Sequence, residues 1–410
     1  MGRRSSYGYN YRSHSYGYGG YRRSPSGGGG GKKNIIIIVS ICTVIAAAAV
    51  ALCAYFGVFG KNAEISSEKE SSVNSTAASE TQSSVDEKSE ASKESSVESS
   101  VQSSAPAKNI KGTFDGNVFV YDKQGYEIFY GTDESAKNYA ATITGIKKSL
   151  GNNVKVYSMV APTHGLFGLP DKYKDLGNDE KENIDMIYSS VDKSITTIDV
   201  TKSLESHKSE YTYFKTDHNW TALGAYYAYK DFCKAAGVDG LDIKKLSSGE
   251  IKNFTGSLLV STKTEKKPNG NKVLAANPDT VKYYDIPGNY TCTLLENGKD
   301  SPQEVSLLAT FAEGSNAYSA FIWGNNPYMD IKTDKKTGRK LCIIKDSYGC
   351  AFAPYTVNDF DEVYIVDPTY YDGNIIDYIK KNKYTDVLIL NSVMTANTQV
   401  RLDELKSILK

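Results

Sequence analysis

Residues 35–59, IIIIVSICTVIAAAAVALCAYFGVF, run for 25 positions without a charged side chain. A helix of that length crosses the hydrocarbon core of a bilayer, and in lipid only a helix or a closed barrel satisfies its own backbone. The chain is therefore divided, with residues 1–33 on one side of a membrane and residues 61–410 on the other. Residues 1–33 hold seven Arg and Lys and no Asp or Glu. That bias predicts a cytoplasmic N-terminus and a main body outside the cell membrane. A secretory signal has a shorter apolar core, so residues 34–60 read as a retained transmembrane anchor, although the small residues at 46–51 leave cleavage open.

The segments on either side of the span are too poor in apolar residues to fold. Residues 1–33 are a basic Gly/Tyr/Ser/Arg tail, either a disordered neighbour of the membrane or a segment of repeated Tyr/Arg stickers. Residues 61–107 contain 16 serines and nine Asp or Glu. Such a composition predicts a disordered spacer, roughly 40 Å end to end as a coil and about 150 Å fully extended. That reach suits a domain working on the wall side of a Gram-positive envelope.

Residues 108–410 are the folded unit. Outside the basic tail the chain has 41 basic against 48 acidic residues, which argues against nucleic acid as a partner. Cys233, Cys292, Cys342 and Cys350 follow neither a zinc spacing nor a disulfide framework, and no metal or cofactor is expected. Apolar runs at 154–160, 196–200, 341–345, 362–367 and 387–391 alternate with helix-length stretches at 135–150, 221–236 and 401–409. That order predicts an α/β fold with a parallel sheet covered on both faces. Between 240 and 335 the pattern turns irregular and β-like, with Asn-Gly and Pro-Gly turn signals, and reads as an insertion on the edge of that core.

Two stretches bear chemistry. In LCIIKDSYGCAF (341–352) a buried strand ends at Asp346 and presents Ser347, at the sheet end where ligands bind in open α/β folds. Ser347 is either a nucleophile or the cap of the next helix. In YFKTDHNWTALGAYYAYK (213–230) an Asp-His pair lies upstream. A serine nucleophile needs a histidine base and a group to orient it, and the folded unit offers only His164, His207 and His218. His207 sits among charges and reads as a surface residue. His164 follows a strand in APTHGLFGLP and can line the same cleft.

TDHNWTALGAYYAY, KDSYGCAFAPY, APTHGLFGLPDKY, NFTGSLLVSTKT and YSAFIWGNNP resemble stretches of the DHHW family of envelope proteins, across residues 110–410. That family is in turn similar to the SGNH-hydrolase-like domains of the alginate O-acetylation proteins AlgJ and AlgX. The resemblance implies a three-layer SGNH-like fold and a Ser–His–Asp device of Ser347, His218 and Asp217. It further implies a cell-envelope glycan as substrate and a membrane-bound partner that delivers the acyl group. By analogy with SGNH enzymes Gly324 and Asn325 supply oxyanion donors, or else form a plain turn; from their own positions Trp220 stacks on a sugar ring or packs in the core, and Asn219 and His164 line the substrate cleft. The match departs at one point: the family pattern Asp-x-His-Trp puts Asn219 where the catalytic histidine belongs. In an extended segment Asp217 and Asn219 share a face and His218 points away. Three outcomes stay open: His218 turns in, His164 substitutes, or the domain is not hydrolytic and serves as a glycan-binding or scaffold module of the cell envelope.

Overall fold

The computed structural model describes residues 111–410. The tail, span and spacer read in residues 1–107 lie outside the described residues, and among the described residues no helix is long and apolar enough to cross a membrane. Strands β1 (Thr113–Asp115), β2 (Val118–Tyr121) and β3 (Gln124–Tyr126) make an antiparallel meander. The main sheet begins with β4 (Lys155–Ala161) and β5 (Ile195–Ile198). A separate two-stranded ribbon, β6 (Ser248–Phe254) and β7 (Asp279–Tyr284), comes next. The chain then returns to the main sheet as β8 (Tyr290–Leu295), β9 (Gln303–Val305), β10 (Tyr328–Thr333), β11 (Lys340–Lys345), β12 (Glu362–Val366) and β13 (Asp386–Ser392).

The eight main strands lie in the order β5-β4-β13-β11-β12-β10-β8-β9. The first five run parallel, and β10, β8 and β9 continue antiparallel beyond β12. The sheet is thus mixed, which corrects the expectation of a parallel one. Only residues 334–339 join β10 to β11, too few for the crossover that a parallel connection needs.

Strand alternation sorts the core into two layers. Leu341, Ile343, Ile365, Leu388 and Leu390 face the helices Ala222–Ala236 and Tyr348–Phe352. Cys342, Ile344, Val366, Val387 and Ile389 face the helices Asp133–Leu150, Glu180–Ser190, Ile375–Lys381 and Gln399–Ser407. Both faces are covered, and the parallel strands read as unbroken apolar runs for that reason.

Local signals set the helix ends. Thr132 caps Asp133–Leu150 by accepting from Ser135 N, and the Ser135 side chain returns the bond to Thr132 N. Thr221 accepts from Gly224 N, and Gly237, at φ 66°, ends Ala222–Ala236 in the left-handed conformation. Cys233, Cys292, Cys342 and Cys350 are buried free thiols.

Candidate active site

Ser347 leaves the sheet at the carboxyl end of β11. Asp346 shapes the exit: its carboxylate accepts from Tyr348 N at 3.0 Å and from Ser392 N, at the end of β13, at 2.6 Å. Gly349 allows the turn to pass over Lys345, whose side chain a Cβ at 349 would strike. Beneath the turn Lys345 is 1% exposed, and its Nζ donates to Asp367 Oδ2 (3.1 Å) and Asn325 Oδ1 (2.8 Å). Burial alone would pull this lysine down, but Asp367 beside it holds its pKa above the ordinary value.

The upstream histidine arrives on a bend whose ends, Tyr213 and Trp220, are bridged. The buried carboxylate of Asp279, at the start of β7, accepts from Lys215 N (2.9 Å), Thr216 N (2.8 Å) and Thr216 Oγ1 (2.5 Å). Folded this way, residues 215–219 are not extended, so neighbouring side chains need not alternate. His218 Nε2 lies 3.2 Å from Ser347 Oγ, and Ser347 Oγ also donates to Asn219 Oδ1 at 2.9 Å. Both residues reach the serine, where an extended strand would have presented Asn219 alone.

Asp217 is placed differently from the triad expectation. No hydrogen bond joins it to the His218 ring; its Oδ1 accepts from Asn219 N (2.9 Å) and Asn219 Nδ2 (2.7 Å), and its Oδ2 from Ser257 N (2.8 Å). The group on His218 Nδ1 is the Ser257 hydroxyl, at 2.6 Å. Asp217 therefore orients Asn219 and holds the backbone of Ser257, and Ser257 orients the histidine. Gly256 is needed for this approach, because a Cβ there would collide with Asp217. Sequence reading misses Ser257, although its stretch, NFTGSLLV, is among those carrying the family resemblance.

One hydroxyl proton on Ser347 faces two acceptors. With Nδ1–H directed at Ser257, Nε2 of neutral His218 is free to accept from Ser347; a protonated ring leaves the serine to Asn219. Burial pulls the His218 pKa down, but the carboxylates of Asp217, Glu127 and Asp346 outweigh it and hold the pKa above the ordinary value. Burial pushes Asp217 up, and the His218 charge with the N–H donors of Ser257 and Asn219 brings it below the usual carboxylate range. Glu127, just after β3, is half-buried in the same field, and burial raises its pKa. Its carboxyl makes no hydrogen bond among the described residues, and nothing in the sequence marks it.

Three further sequence expectations change. Trp220 offers no face to a sugar: it is fully buried and donates from Nε1 to Tyr348 O at 2.8 Å. His164 has no hydrogen bond to Ser347; its ring lies between Tyr126 and Tyr213, and burial holds it down at about 4. Gly324 N already donates to Phe321 O at 2.9 Å, so it is no oxyanion donor. Asn325 does lie near the serine turn, its Oδ1 fixed by Lys345 and by the Cys350 thiol (3.2 Å), with Nδ2 unbonded among the described residues. His207 stacks on Tyr227 at the surface. Among the described residues, no group of three or more His, Cys, Asp or Glu could hold a metal ion.

The sequence model of the DHHW protein family matches residues 54–366. A solved DHHW family protein from Eubacterium siraeum is 31% identical, over 73% of this chain and 97% of that one, with a TM-score of 0.65. Bacillus cereus PatB1, solved with a sulfonyl adduct, is 16% identical over 71% of this chain and 98% of its own, with a TM-score of 0.56, a likeness of fold. The O-acetyltransferase domain of Pseudomonas putida AlgJ matches at 11% identity over 72% of this chain and 99% of its own, with a TM-score of 0.39. No curated protein matches the sequence.

Proposed function

From a chain that belongs to the DHHW family and sets a serine against a histidine, we propose a serine-dependent acyl-transfer enzyme of SGNH type. Its substrate is an O-acetyl group on a cell-envelope polysaccharide, and residues 34–60 anchor it at the outer face of the membrane. The observation that carries this reading is the 3.2 Å contact between His218 Nε2 and Ser347 Oγ. Ser347 attacks the acyl carbon as His218 takes its proton; the alkoxide of the sugar leaves with that proton, and the acyl group rests on Ser347. A water or an acceptor hydroxyl, deprotonated by the same ring, then receives it. Ser347 N–H and Asn325 Nδ2, neither bonded among the described residues, are the available donors for the developing oxyanion. In the transfer direction a membrane-bound partner supplies the acyl group to Ser347 and takes back the leaving group, and a sugar hydroxyl is the acceptor.

A second reading is favoured by one contact. Asn219 Oδ1 takes the Ser347 hydroxyl at 2.9 Å, shorter than the contact to His218, which suits a glycan-binding domain without turnover. Release of nitrophenol from p-nitrophenyl acetate separates the two. The enzyme reading expects release by the wild type that Ser347→Ala and His218→Ala both abolish; release no faster than that of Ser347→Ala leaves the binding reading.

A further inference from the structure

Two consecutive non-glycine residues in the segment that carries Asn325 have a left-handed backbone. Ile322 and Trp323 have φ of 46° and 65°, and Gly324 follows at 80°. A β-branched residue and a tryptophan in the left-handed region are costly, and such geometry persists only where the surroundings impose it. Here the surroundings do so. Gly324 N is bonded to Phe321 O, Asn326 Nδ2 donates to Trp323 O (2.9 Å), and Asn325 is fixed by Lys345. One result is Asn325 delivered to the serine turn. The other is that the Trp323 indole is held out, its N–H donating to Ser306 O at 2.7 Å, with Phe311 edge-on at 5.1 Å.

Phe311 is 60% exposed, and Trp323 is partly exposed. Both rings belong to the segment that also sends the Tyr318 hydroxyl to Ser347 O at 2.9 Å. Trp323 is two residues from Asn325, so its Cα lies within about 7 Å of that residue's. Of the two tryptophans in the chain, this is the one that is partly exposed, Trp220 being buried. We propose that Trp323 and Phe311 form a carbohydrate-stacking subsite that seats one pyranose ring of the glycan beside Ser347. The indole matches the apolar C–H face of a single sugar, Phe311 stands edge-on at its side, and a pinned indole loses little freedom on binding. A lipid or protein partner would need a wider apolar surface than two rings.

The inference deepens the acyl-transfer reading by assigning a place to the sugar, and its test does not depend on turnover. Full-length Ser347→Ala protein is titrated with the N-acetylglucosamine tetramer by calorimetry and by indole fluorescence. Expected are binding, a fluorescence change that disappears in Trp323→Phe because Trp220 is buried, and affinity weakened about tenfold in Trp323→Ala. Phe311→Ala, at an exposed position, gives the same loss in smaller measure should Trp323→Ala fold poorly. Absence of binding, or binding within twofold of the parent in both alanine variants, overturns the subsite. If binding behaves as expected but p-nitrophenyl acetate is not cleaved, the subsite stands and the acyl-transfer reading falls.

Discussion

The five parallel strands and residues 240–335 meet at the same serine by different routes. The parallel strands act through regularity: β11 and β13 end side by side, and Asp346 ties those ends together so that Ser347 emerges where sheet geometry dictates. Residues 240–335 act through single contacts. They provide Asp279, which bends the histidine segment, Ser257, which holds the ring, and Asn325, which reaches the serine turn. A nucleophile can thus come from a repeating pattern, while its base is aimed by scattered polar groups.

That contrast can be broken in graded steps. Ser347→Ala and His218→Ala remove the pair on which both halves converge, and each should lower ester turnover at least about 10⁴-fold; a residual rate within tenfold of wild type would dissolve the comparison. Next comes Lys345→Met, which leaves Asp367 buried without its cation. Urea unfolding should show a loss of about 3–5 kcal/mol, while a loss below about 1 kcal/mol would mean that water relieves the charge.

Ser257→Ala sharpens the comparison, because it tests the irregular half alone. It should reduce kcat roughly ten- to a hundredfold, part of the about 10²–10⁴ that a positioned base contributes, with melting temperature unchanged. Equal losses in kcat and stability would make Ser257 a packing residue instead.

The smallest effect lies in the pH profile. His218 acts only when deprotonated, and its pKa is raised. Turnover should therefore rise through a midpoint above the ordinary histidine value. Glu127→Gln removes a negative charge that favours the imidazolium, so the midpoint should move down, by less than about one unit. A midpoint that stays in place or climbs would mean Glu127 does not act on the ring.

The same division governs what the sequence disclosed. The apolar run 341–345 corresponds to β11, and the helix read at 221–236 is Ala222–Ala236, since Thr221 and Gly237 mark its ends by local chemistry. The helix read from residue 135 begins at Asp133 because its cap uses Ser135 where a Glu or Gln is the usual partner. That β8, β9 and β10 join the sheet antiparallel was not legible, because strand direction is set by pairing between residues far apart in the chain. Ser257 was invisible for a different reason: a serine 39 residues from His218 has no periodic or spacing signal, and only the close approach of Gly256 to Asp217 brings its hydroxyl to the histidine ring. Trp220 could be read as a sugar ligand or as core, and the bend that brings His218 to Ser347 sends its indole into the core.

The most direct measurement is labelling of the full-length protein with phenylmethylsulfonyl fluoride, then peptide mass spectrometry in wild type and His218→Ala. If the dyad works despite Asn219, a single adduct forms on Ser347, at a rate that falls about 10²-fold or more without His218. No adduct on Ser347, or the same rate in the His218→Ala protein, would contradict the central claim that this histidine activates this serine.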